Sequence, residues 1–445
     1  MATAVLPPGP KGHFLSGHLP EVKRGVLDFF TQCSREYGDI TSLRFGRTKV
    51  VLLTSPEYVE DVLVTHHHNF LKHFFAFDLN KQLAGNGLFT SEGDFWLRQR
   101  RMAQPAFHRE RIASYGNVMA AYTERMAAGW KDGETRDLHA DMMRLTLEIV
   151  AKALFDADVA RDAPDVGEAL AVVMDDFRTR TESMNIIPDS IPTPANLRLR
   201  RAVQRLDKIV YEIIGQRRAS GEDRGDLLST FLHLQDEDGS RMTDQQLRDE
   251  MVTLVVAGHE TTAVALSWTW YLLSQHPEVE AKLWAELETV LKGRPPTVAD
   301  LPQLQYTEML VTESMRLYPP FWVLGRETIN NCEIGGYLVP AGTNILMSQW
   351  VIHRDPRFYD GPLVYNPDRW ADGLAKRIHR FAYFPFGGGQ RLCLGNSFAM
   401  MEAALVVATL AQKFRLELSP GHSARPKPSL TLRPRYGMKM ILHNR

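Results

Sequence analysis

The feature that most restricts this chain is a ten-residue stretch near its end, Phe386-Gly-Gly-Gly-Gln-Arg-Leu-Cys-Leu-Gly395. Three glycines precede Cys393 and one follows it, so the loop is built for close approach to a large ligand. Arg391 lies two residues from the sulfur, and a helical pattern opens at Ser397. Backbone N–H groups at that helix start can point at a thiolate. A cysteine so placed is expected to deprotonate readily. With average residue usage, Phe, Gly, Arg, Cys and Gly at these five spacings arise by chance in about one chain in ten thousand. An ordinary turn around a buried cysteine is the rejected alternative.

The rest of the chain must build around that loop. Its length of 445 residues suits more than one domain by the usual scaling, yet no repeat, low-complexity tract or long linker divides it, so residues 1–445 are read as one domain. Helical periodicity dominates from Asp94 to Val290 and returns at Asp300–Arg316 and Ser397–Lys413. Val22–Tyr37 and Pro56–His66 also read as helices. Short β runs fall at Ile40–Leu53, Glu333–Val339, Thr343–Ser348 and in the tail. The fold class is therefore mainly α with a small β portion.

Composition excludes several functions. The 52 basic residues are matched by 53 acidic ones, so no global field for nucleic acid exists. Cys33, Cys332 and Cys393 form no CxxC pair and lie far apart, which fits the reducing cytoplasm. Met251–Gln275 is apolar enough to suggest a membrane span. His259 and Glu260 near its centre would be costly in lipid, and a helix buried in protein is the better reading. The run His66-His-His68 reads as a solvated surface, because three consecutive side chains splay apart.

The motif F-x-x-G-x-R-x-C-x-G resembles the haem-binding loop of the cytochrome P-450 family. The resemblance implies a P-450-type fold with haem b held between a long central helix and the Cys loop. It makes Cys393 the proximal iron ligand, with Phe386, Gly387 and Gly395 around the sulfur and Arg391 on a haem propionate. Other segments match the family in the correct order. Glu313-Ser-Met-Arg316 with Leu317-Tyr-Pro-Pro320 is similar to its E-x-x-R helix. Tyr365-Asn-Pro-Asp-Arg369-Trp370 is similar to its F-x-P-x-R-F segment, departing at both ends. Glu313, Arg316 and Arg369 are therefore implied to form a structural network. Trp96-Leu-Arg-Gln-Arg100 sets an indole and a guanidinium one turn apart, and with Arg326 these are implied propionate partners.

Ala257-Gly-His-Glu-Thr261-Thr resembles the family's central-helix motif, with Glu where the family often has Asp. Gly258 is read as leaving space against a flat ligand beside Ala257. Glu260 and Thr261 are read as the catalytic pair that handles protons.

The resemblance implies a monooxygenase that inserts one atom of O2 into an apolar substrate, with a thiolate favouring O–O cleavage. Electrons from NAD(P)H must arrive through a separate ferredoxin or flavodoxin with its reductase, since no G-x-G-x-x-G occurs. Arg98, Arg101, Arg109 and Arg111 are a candidate docking face. Only six residues precede Pro7-Pro-Gly-Pro10, so the expectation is a soluble bacterial type without a membrane anchor, monomeric and cytoplasmic. Family position gives a substrate lining of Phe74, Phe75, Phe77, Leu88, Phe177, Met184, Phe321, Val323 and Leu430. That lining suits a fatty acid, terpenoid or similar molecule. Two alternatives stand beside this reading: a peroxide-driven haem-thiolate peroxygenase and a non-catalytic haem-thiolate sensor.

Overall fold

The apolar run from Met251 is the middle of a helix of 32 residues, Asp244–Gln275, that crosses the interior of the protein in this computed structural model. The structure describes residues 6–72, 81–158, 163–183, 188, 190–233 and 241–445. A capping box opens the central helix: Thr243 Oγ1 accepts the Gln246 N–H, and the Gln246 side chain accepts the Thr243 N–H. Neighbours cover it on nearly every side, which is why it lacks a polar face. It packs on helices Leu138–Phe155, Pro194–Ser220, Gln305–Leu317 and Asn396–Ala411. No helix among the described residues is long and apolar enough to cross a membrane.

The expected helical stretch from Asp94 resolves into separate helices, among them Gly93–Ala103, Arg109–Ala127, Leu138–Phe155, Ala163–Ser183 and Pro194–Ser220. Pro20 sits in the first turn of the N-terminal helix, which starts at Leu19, three residues before the expected Val22. Pro56–His66 is corrected: an α turn over Pro56–Glu60 passes into a π turn over Asp61–Thr65. Asp300–Arg316 divides into a 3-10 turn, Val298–Gln303, and the helix Gln305–Leu317. Pro302 in the 3-10 turn lacks the N–H that a continuous α-helix needs.

One five-stranded sheet runs in the order Ile40–Phe45, Thr48–Leu53, Asn344–Met347, Leu324–Thr328, Phe70–Leu71. Val50 to Leu53 pair in parallel with Asn344 to Met347; the other pairs are antiparallel. Arg326 is thereby fixed opposite Ile345. The tail returns as Phe414–Leu418, Lys439–Asn444 and a hairpin of Pro426–Pro428 with Leu432–Pro434. That hairpin brings Leu430 and Thr431 back to the central helix.

Candidate functional site

The Cys loop lies between the five-stranded sheet and the helix Asn396–Ala411, which begins directly after Gly395. The Cys393 N–H donates to the Phe386 carbonyl at 3.0 Å, closing the loop on itself. Two of its glycines serve a purpose that the sequence did not indicate. A Cβ on Gly389 (φ +63) would sit 1.9 Å from the Leu63 carbonyl oxygen, and one on Gly388 would strike the Phe381 ring at 2.3 Å. These glycines admit close approach by the protein's own backbone and core, and Gly388 also borders an interior cavity. Gly258 borders that cavity too, as expected of a residue that leaves space for a ligand. Its missing side chain faces Val150 at 2.9 Å, so it seats the central helix on the helix Leu138–Phe155.

Cys393 opens onto an interior cavity of about 420 Å³ whose lining is mostly apolar. Protein surrounds the residue, yet its cavity side is bare, which makes its own surface accessible. Burial pushes the thiol up, and this outweighs the Gly395 backbone N–H and the charges of Arg100 and Lys72, which pull it down.

Cations gather at one edge of the same cavity. Arg391 turns away from the sulfur: its Nη1 donates to the Ser91 carbonyl at 3.0 Å, its Nη2 pairs with Glu92, and its plane covers the Trp96 ring at 3.7 Å. Arg100 lies over the other reach of Trp96 at 5.8 Å. Arg326 is buried, with Nη1 on the Gly325 carbonyl at 2.8 Å. Lys72, which the sequence reading missed, joins them; its Nζ donates to the Phe89 carbonyl at 2.9 Å. Burial and the neighbouring Arg391 push Arg326 down to about 10. Burial, then Arg391 and Arg326, holds Lys72 well below the usual lysine range. Glu92 is the carboxylate that these cations share. Buried cations held this close together are costly unless anionic groups or an anionic ligand complete them. No local spacing announces Lys72 or Glu92, because the fold alone brings residues 72, 92, 326 and 391 together.

On the opposite wall, Ala257 and Thr261 face the cavity from the central helix. The Thr261 hydroxyl donates to the Ala257 carbonyl at 2.7 Å. A hydroxyl has one proton and two lone pairs, so its oxygen remains an acceptor. Glu260 borders the cavity too, but its Oε1 accepts from Arg433 Nε at 2.6 Å and from Thr431. Arg433 and these hydrogen bonds hold the buried carboxyl below its usual range, against desolvation. Glu260, expected to handle protons with Thr261, is also half of an ion pair that ties the tail hairpin to the central helix. Arg433 was invisible to spacing arguments, lying 173 residues away.

Behind the Cys loop, Glu313 and Arg316 are fully buried and joined at 2.8 Å. Arg369 Nε and the Trp370 indole N–H both donate to Glu313 at 2.9 Å, and Arg316 reaches the carbonyls of His353, Pro362 and Val364. Trp370, a departure from the family pattern, thus has its own partner.

Of the expected substrate lining, Leu88, Phe321, Val323 and Leu430 border the cavity. Phe74, Phe75, Phe77 and Met184 lie outside the described residues, as does the side chain of Phe177. Leu19, Val22 and Val26 of the N-terminal helix also line the cavity, which the sequence reading did not foresee. His67 is not merely solvated: its ring meets Gln390 of the Cys loop at 2.8 Å. On the basic face Arg101 is exposed, Arg98 is half-buried and Arg111 donates to the Gly225 carbonyl. The Arg109 side chain lies outside the described residues.

Comparison with known proteins agrees with this arrangement over nearly the whole chain. The family model described as Cytochrome P450 matches residues 7–442. Cyclooctat-9-en-7-ol 5-monooxygenase from Streptomyces melanosporofaciens is 41% identical over 92% of this chain and 88% of its own. Pentalenene oxygenase from Streptomyces avermitilis is 36% identical over 92% of this chain and 91% of its own. The crystal structure of the cytochrome P450DA haem domain superposes with a TM-score of 0.90 at 29% identity, covering 99% of this chain and 98% of that one. A match of this extent, on a fold that carries the Cys loop beneath a central helix, makes the chain a member of the cytochrome P450 family and an enzyme that oxygenates organic molecules with haem and O2.

Proposed function

We propose that this enzyme hydroxylates a polycyclic terpenoid, with electrons from NAD(P)H delivered by a separate ferredoxin or flavodoxin in the cytoplasm. The observation that carries the reading is the apolar cavity between Cys393 and Thr261, walled by Leu88, Phe321, Val323, Leu254 and Leu430. The relatives named for cyclooctatin and pentalenene oxygenation support a terpenoid over a fatty acid.

The residues present fit haem b. A thiol faces the cavity, and a cluster of buried cations at its edge suits two propionates. Cys393 would hold the iron through its sulfur, and Arg100, Arg326, Arg391 and Trp96 would hold the propionates together with Lys72. Bound haem supplies the O2 activation that no side chain here can provide. The chain orients the substrate, limits water and presents Thr261 Oγ1 as a hydrogen-bond acceptor over the cavity.

Three measurements test this. Titrating sesquiterpene and diterpene hydrocarbons into the ferric holoenzyme should shift its spin state and, with a redox partner, yield singly oxygenated products. A response to long-chain fatty acids and none to terpenes would refute the terpenoid reading. Arg326→Ala and Arg391→Ala should each release haem to apomyoglobin more readily. A charge-assisted bond of about 1.5–3 kcal/mol corresponds to roughly ten- to a hundredfold in affinity. Unchanged retention in both would remove the propionate assignment. Thr261→Ala should keep haem content and substrate binding, yet convert more of the NAD(P)H consumed into hydrogen peroxide and less into product. The loss should be partial, since water can stand in for the hydroxyl. Unaltered coupling would reduce Thr261 to a helix residue bonded to Ala257.

A further inference from the structure

Near its N-terminus the central helix carries three consecutive charged residues, Arg248, Asp249 and Glu250, all more than nine-tenths buried. Buried charges need partners. Much of what they grip is one short stretch of backbone, residues 83–88. Arg248 Nη1 donates to the Leu83 carbonyl at 2.6 Å. Asp249 Oδ2 accepts the Asn86 N–H at 2.9 Å, and Glu250 Oε2 accepts the Leu88 N–H at 3.1 Å. The grip is itself braced. Asp207 on the helix Pro194–Ser220 holds Arg248 Nε at 2.6 Å, and Gln245 donates to Asp249 Oδ1 at 2.8 Å. Glu250 Oε1 accepts the Gln99 amide at 3.1 Å, and Gln99 belongs to the helix that carries Trp96 and Arg100.

The stretch lies this close because Gly85 has no side chain. At φ +52, a Cβ there would stand 2.2 Å from the Asp249 carboxylate. The other side of the stretch is cavity wall: Leu83, Ala84 and Leu88 border the space that Thr261 faces. The wall is thus hung from the central helix by its backbone, which leaves its side chains to meet the substrate.

We propose that Arg248, Asp249 and Glu250 are positioning residues that clamp the 83–88 backbone, hold the substrate wall in register with the haem edge and so govern binding of large ligands. The proposal rests on the haem-thiolate reading above. Glu250 is the informative member, because one oxygen holds the wall and the other holds the helix of Arg100. Burial raises its carboxyl to about 7, so the clamp must work with the acid as well as the carboxylate. A glutamine amide, whose oxygen accepts from the Leu88 N–H, should therefore replace it.

Two ferric-haem ligands read the clamp in the purified holoenzyme. Imidazole is small enough to coordinate without using the wall, whereas 4-phenylimidazole must pack its ring against the cavity lining. Glu250→Leu and Gly85→Ala should weaken 4-phenylimidazole binding tenfold or more while imidazole stays within threefold. Glu250→Gln should match the wild type for both. Equal effects on the two ligands, no selective loss in Glu250→Leu and Gly85→Ala, or a loss in Glu250→Gln as large as in Glu250→Leu would each overturn the proposal. The reduced carbon monoxide spectrum is recorded first. A wild type without the thiolate band refutes the haem-thiolate reading, whereas a normal band with no selectivity refutes the clamp. If one variant does not hold haem, the other decides; if neither does, the stretch is a folding element and the proposal fails.

Discussion

Cys393→His abolishes the red-shifted Soret band of the reduced carbon monoxide complex, and with it substrate oxygenation, while Cys33→Ala and Cys332→Ala keep both. The expectation follows from where the three sulfurs stand. Cys33 is buried in the N-terminal helix, and Cys332 starts a short hairpin strand; neither lines the cavity that Cys393 faces. The Cys loop does not depend on its sulfur for shape. Its closure runs from the Cys393 N–H to the Phe386 carbonyl, and its glycines are pressed on Leu63 and Phe381. A histidine there should leave the loop and the cation cluster in place, so haem still binds but loses its thiolate. The electron-donating push that favours O–O cleavage goes with it. An unchanged band in Cys393→His would sink the assignment.

Glu313→Ala should have the largest effect on stability. Glu313 is fully buried and accepts from Arg316, Arg369, the Trp370 indole and the Asn366 N–H. Removing it leaves two buried guanidiniums without their counter-charge and an indole donor without its acceptor. Breaking a buried pair in this way costs about 3–5 kcal/mol, against a total stability of roughly 5–15 kcal/mol for a folded protein. The denaturation midpoint should fall sharply, and little holoenzyme should accumulate on expression at 37 °C. Glu313→Gln keeps the shape and the acceptor oxygen and should lose less. An alanine variant within about 1 kcal/mol of wild type would show that the network contributes no more than an ordinary hydrogen bond.

Cys393 was legible in the chain because everything that defines its loop lies within ten residues. The spacing of Glu313 and Arg316 was equally local, and one helical turn suffices to join them. Arg369 needed the family resemblance, and its hydrogen bond to Glu313 spans 56 residues. The helices were legible from periodicity, but their ends were not. Pro20 and Pro302 fall inside stretches whose apolar pattern alone would place the boundaries elsewhere.

By itself the sequence determined the helical class, the thiol loop and the buried nature of the 244–275 helix. These are local matters: a period, a spacing and a charge inside an apolar run. Tertiary structure alone decided which partners those residues meet. It gave Glu260 to Arg433, turned Arg391 from the sulfur to Glu92, and set Lys72 beside Arg326 and Arg391. It also hung the 83–88 wall from Arg248, Asp249 and Glu250. The physical reason is the same in each case. Burial removes water as a partner, so a charged group must take whichever counter-group the folded chain brings within about 3 Å, and no linear spacing records which one that is.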